Sequence, residues 1–264
     1  MFSLCYDFFI LHVVVRYLSL GRNLKKNYLG CDKAACLVFK SSMETFNMQD
    51  FILRLSIQLP GFILAVSCHE AAHAYIALKF GDDTAKRQGR LTLNPAAHYT
   101  PFGTILFPLL GAMLGGTMFG WARPVPVDAR RFKNIRKSIF WVSFAGPGAN
   151  IILSILSAFF YVILVTKVSP TFYLYEPFLG MLKASITINC ILAVFNLIPF
   201  PPLDGSKMVS SFLNYENQRK FEDLQKYGFV FLLLLWFTNL FSYLLFPAIL
   251  IANGFIRLFY VMLS

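Results

Sequence analysis

Charge is scarce in this chain. Only 14% of its 264 residues are Asp, Glu, Lys or Arg, against about a quarter in a soluble globular domain. Acids are the rarer sign, 13 against 24 basic residues, and histidine occurs four times. Cys5, Cys31, Cys36, Cys68 and Cys190 are odd in number and form no CxxC pair, which argues against an obligatory disulfide scaffold. No internal repeat or low-complexity tract is visible. The first apolar run, 2–20, lacks a small-residue cleavage site, so a secretory signal is not indicated.

Apolar residues fill the space that charge leaves. They make up 57% of the chain, aromatics 17%, and the mean hydropathy is +0.60. Several stretches approach the roughly 20 apolar residues needed to cross a bilayer. The composition predicts an all-α polytopic membrane protein of about four to six membrane segments. The net charge of +11 does not indicate nucleic acid, because the basic residues sit in short segments between apolar runs. That is where the positive-inside bias places them.

Long helices are expected at 51–79 (interrupted early by Pro60-Gly61), 138–165 and 179–199, with further apolar chain from 228 to 262. Residues 87–94 and 121–128 alternate in character like short membrane-associated strands, the second limited to an edge by its prolines. Between them, 101–120 holds Pro101, Gly103, Pro108, Gly111, Gly115, Gly116 and Gly120. So many helix breakers predict a re-entrant hairpin instead of a straight span.

Loop charge gives the same answer. Residues 121–137 carry six basic residues and one acid, Asp128, while 79–100 carry four basic residues and two acids. Both loops favour the cytoplasm, and a straight crossing at 101–120 would put them on opposite sides. Segment 166–178 has only Lys167 and Glu176, as expected outside. With this orientation the basic stretch 22–40 would have to be translocated. Residues 1–47 are therefore expected to be a dispensable extension, with a working chain beginning at Met43 or Met48.

His69-Glu70-Ala71-Ala72-His73 falls inside the first long helix. Two histidines four apart project from one helix face, a spacing that suits two nitrogens on one tetrahedral Zn2+. Glu70 can then serve as general base toward the attacking water and pass the proton to the leaving amine. The bland alternative is a pair of core histidines with a lysine-paired glutamate. A charged side chain at membrane depth costs about 2.5–3.5 kcal/mol or more, so three ionisable groups in five residues point to function. Cys68, beside the motif, reads as a small buried apolar residue.

A third ligand has several candidates: His98, Asp204, Glu176 and scattered loop acids. Asp204 is preferred, since it follows an apolar helix in a turn built by Pro201, Pro202 and Gly205. Glu176 lies on the wrong side. Asp204 falls at the cytoplasmic end of its helix, as does the His-Glu motif, so the two can meet.

Three ordered motifs now stand together: HEAAH at 69–73, Gly146-Pro147-Gly148-Ala149-Asn150, and the run from Asn196 to Gly205. Over roughly 51–250 they resemble the site-2 protease family of intramembrane zinc metalloproteases. The resemblance implies that His69, His73 and Asp204 bind zinc, that Glu70 is the base, and that residues 48–264 form the protease domain. It implies that Asn196 orients substrate or stabilises the oxyanion, an alternative being an interhelical hydrogen bond. The segment Gly89 to His98, with Asn94, resembles the compact bacterial branch without a PDZ domain, although Thr100 stands where that branch often has an acid. Asn94, His98 and Asn150 are candidates for substrate contact or for supporting the ligands, with helix packing the preferred role for Asn150.

The expected partners are transmembrane protein substrates and the lipid bilayer, with no nucleic acid. The expected setting is a bacterial inner membrane with the active site in its cytoplasmic half. The competing readings are a catalytically silent scaffold, or a transporter with a structural metal site.

Overall fold

The computed structural model describes residues 47–113, 120–228, 230–231 and 240–263. The expected extension 1–47 therefore lies outside the described residues except for its last position, as does the tip of the 101–120 run.

Among the described residues the protein is helical. Helix α1, Met48–Lys79, starts where the Asn47 side chain accepts the Gln49 N–H at 2.9 Å. At 1.5 Å per residue its 32 residues extend about 48 Å, enough to cross a bilayer of about 30 Å. Pro60 does not break it, contrary to expectation: the helix runs through, and Gly61 brings its backbone onto Ser185 of a neighbouring helix. At its end the chain turns through Gly81 (φ +104°), a left-handed conformation that favours glycine.

Short helices α2 (Thr84–Arg87), α3 (Pro95–His98) and α4 (Phe107–Met113, entered through a π-helical turn at Pro101–Leu106) follow. Then come the long α5 (Ile135–Lys167) and α6 (Tyr175–Asn196), the short α7 (Asp204–Ser210) and α8 (Tyr215–Glu222), and α9 (Leu240–Leu263). Four helical stretches, α1, α5, α6 and Leu245–Leu263 of α9, are long and apolar enough to cross a membrane. The expected boundaries hold to within a few residues.

The expected strands at 87–94 and 121–128 are corrected: neither forms a ladder among the described residues. Residues 84–87 are helical, Arg90 N–H bonds back to Ala85 O, Gly89 turns at φ +67°, and Asn94 caps α3. Local turn chemistry thus takes the backbone groups that a strand would need. Segment 121–128 sends its amides elsewhere: Trp121 to Gly103 O, Arg123 to His98 O, Val125 to Glu70 and Asp128 to Asp82. Pro124 and Pro126 supply none.

Helices α1, α5 and α6 pack mutually, and α9 lies against α5 and α6. Small buried side chains (Ala158, Ala248, Ala252, Ser154) close the α5–α6–α9 contact, as expected where dispersion and close approach hold helices together in lipid. Helix α7 rests on α5, which carries Asp204 to the histidines of α1.

Candidate active site

The two histidines are aimed by their outer nitrogens. His73 Nδ1 donates to Val142 O at 2.6 Å, and a carbonyl can only accept. His69 Nδ1 donates to Asn150 Oδ1 at 2.6 Å. That amide is oriented in turn, because its Nδ2 donates to Ala65 O and to Asn189 Oδ1. Asn189 is fixed by donating to Ser185 O at 2.9 Å. Asn150 and Asn189 are both wholly buried, so this relay from α6 through α5 to α1 sets the tautomer of His69.

In their neutral forms both imidazoles therefore carry their lone pairs on Nε2. These two atoms lie 3.0 Å apart, and each is 3.2 Å from Asp204 Oδ2. Three electron-pair donors converge here with no proton left to join the two nitrogens, an arrangement that repels itself unless a cation sits among them. Tetrahedral zinc with bonds of about 2.0–2.1 Å places its donors about 3.3–3.4 Å apart, so the residues fit Zn2+. Gly146 leaves the space: a Cβ there would lie 2.5 Å from His73 Nε2 and 2.6 Å from His69 Nε2.

Asp204 enters from the first turn of α7 and is 7% exposed. Lys207 Nζ reaches the other oxygen, Oδ1, at 3.3 Å. Gly205 is required behind it, since a Cβ would collide with the Leu197 carbonyl.

A cavity of about 960 Å³ opens beside the donors, with Glu70, Val125, Ser143, Asn196 and Lys207 on its lining. Glu70 is half-buried and accepts the Val125 N–H at 2.8 Å. Asn196 donates one amide hydrogen back to Leu192 O at 3.0 Å. His98 is buried, donates to Thr92 O and does not meet the metal-ligating cluster. Asn94 caps α3 and stays exposed. Neither lines the cavity.

Sequence reasoning missed three contributors. Asn189 was visible as a polar residue in an apolar helix, but nothing tied it to His69. Lys207 is three residues from Asp204, one turn of α7. The Val125 amide belongs to the backbone and leaves no mark in side-chain chemistry.

The profile described as peptidase family M50 matches residues 58–236. A Bacillus subtilis (strain 168) protein named as a zinc metalloprotease, YwhC, is 42% identical over 186 residues, which are 70% of this chain and 82% of that protein. Another so named, Rip2 of Mycolicibacterium smegmatis, is 30% identical over 195 residues, 74% of this chain and 72% of its own length. No solved structure matches the chain.

Proposed function

The chain belongs to peptidase family M50 and is a zinc-dependent intramembrane protease; on that premise we propose the residues that do the work. His69, His73 and Asp204 hold the metal, and Glu70 is the general base. The carrying observation is the convergence of two histidine Nε2 atoms and one carboxylate oxygen within 3.2 Å of one another.

Zinc, when bound, supplies Lewis acidity that polarises the scissile carbonyl and the attacking water. The residues do the rest. Glu70, on the cavity lining next to the donors, takes the proton from the attacking water. It then delivers that proton to the amine nitrogen as the carbon–nitrogen bond breaks. Asn150 keeps His69 in the tautomer that leaves Nε2 free. Asn196 orients substrate after exchanging Leu192 O for a substrate group. Removing the metal with a chelator should stop cleavage of a single-span reporter, and added zinc should restore it. Cleavage indifferent to chelation would overturn the metal assignment. A scaffold or transporter is not favoured, since the family and its similar relatives are described as peptidases and zinc metalloproteases.

The substrates are proposed to be transmembrane segments of other proteins, reached from within the bilayer. The setting is a bacterial cell membrane, with the site in its cytoplasmic half and residues 48–264 as the protease domain. Basic loops on both flanks of 101–120 support that side. Re-entry of 101–120 is supported by its two ends meeting: Trp121 N–H donates to Gly103 O at 3.1 Å, and Thr104 Oγ1 donates to Trp121 O at 3.2 Å. Single cysteines replacing Lys86 and Lys133, in a background without reactive native thiols, should both label from the cytoplasmic face with an impermeant reagent. One replacing Tyr173 should label from outside. Labelling of positions 86 and 133 from opposite faces would rule out re-entry.

A further inference from the structure

Arg90 is a buried cation, 6% exposed, in a turn that the mechanism has not used. Its described hydrogen bonds go to backbone: Nη2 donates to Arg123 O at 2.6 Å and to Pro124 O at 3.4 Å, while Nε has no partner. The charged groups close enough to act on it are Arg123 and Glu70. Buried guanidinium groups are ordinarily matched to an acid. Here two carbonyls of segment 121–128 take that place.

One peptide unit joins Arg90 to Glu70. The Pro124 carbonyl faces Arg90, and the N–H on the other side of the same bond, that of Val125, donates to Glu70 Oε2 at 2.8 Å. This peptide is trans, so its oxygen and hydrogen point in opposite directions. A cation thus sits at the positive-seeking end of the amide and the catalytic carboxylate at the other. Pro124 and Pro126 have no N–H, and the Arg123 N–H is committed to His98 O at 2.8 Å. From 123 to 126, the Val125 N–H is therefore the one backbone donor able to face the cavity.

A transmembrane segment must unwind before its peptide bonds can be attacked, and each unwound carbonyl then needs a donor. We propose that Arg90 is a positioning residue for substrate. It holds the Pro124–Val125 peptide so that the Val125 N–H receives one substrate carbonyl when Glu70 leaves it for the attacking water. A single donor between two prolines fixes one register, and so selects which peptide bond meets the base. The proposal rests on Glu70 being that base.

The test uses the full chain, zinc-loaded in detergent, carrying Glu70→Ala so that a fluorescent single-span reporter binds without being cut and the Val125 N–H is left free to receive it. Adding Arg90→Gln should weaken reporter binding about tenfold while zinc stays at one per chain. With Glu70 intact, KM should rise by a larger factor than kcat falls. Reporter binding unchanged with zinc retained would overturn the proposal. If Arg90→Gln does not fold, Arg90→Lys carries the test. It keeps the buried charge but cannot span both carbonyls, so binding equal to the parent's would overturn the proposal equally. Cleavage that survives Glu70→Gln would sink the base assignment, a failure separate from any result at Arg90.

Discussion

Glu70→Gln is expected to lower cleavage of a single-span reporter by at least about 10²- to 10⁴-fold, the range general base catalysis contributes, with zinc still bound. The substitution is isosteric. It exchanges a carboxylate that can take a proton for an amide that cannot. The amide oxygen can still accept the Val125 N–H, so the local fold keeps its partner. His69, His73 and Asp204 are oriented by Asn150, Val142 O and Lys207 without Glu70, so metal analysis should find one zinc per chain. Persisting cleavage at parental rate would mean that another group removes the proton. Lost zinc would mean that Glu70 holds the metal.

Gly146→Ala is expected to remove zinc and activity together while leaving the helices intact. The new methyl would sit 2.5 Å from His73 Nε2 and 2.6 Å from His69 Nε2, where the metal-facing nitrogens must remain. Neither ring can retreat, since Asn150 and Val142 O hold their far sides at 2.6 Å each. Alanine favours helix over glycine by about 1 kcal/mol, so α5 itself should gain. Zinc affinity should therefore fall by more than the 10–100-fold typical of lost supporting contacts, with helical circular dichroism unchanged. Gly148→Ala is the control, because its Cβ would meet only Phe144 at 3.4 Å, an ordinary contact. Equal zinc binding by the Gly146→Ala and parent proteins would show that the cradle is not where the metal sits.

Much of the fold was legible because lipid simplifies the code. A helix that must satisfy its own backbone across about 30 Å of hydrocarbon declares itself as a long apolar run, and the four such stretches fall close to where hydropathy puts them. What misled was local. Pro60 looks like a break, yet helix packing carries α1 through it. The alternation at 87–94 and 121–128 looks like pairing, yet amides such as those of Arg90, Asn94, Trp121, Arg123, Val125 and Asp128 are bonded elsewhere. Periodicity reports which side chains could share a face and is silent about where the N–H groups go.

The same division runs through the site. Sequence alone determined the chemistry: two histidines one helical turn apart, a glutamate beside them and an aspartate after a proline-rich turn, because those residue types and that spacing are properties of the chain itself. Only the tertiary structure decided the geometry. It brought Asp204 across 135 positions to His69, set the tautomer of His69 through Asn150 and Asn189 on other helices, and laid the Val125 amide on Glu70. These are contacts between segments distant in sequence, fixed by how α1, α5 and α6 pack, and no local pattern encodes them.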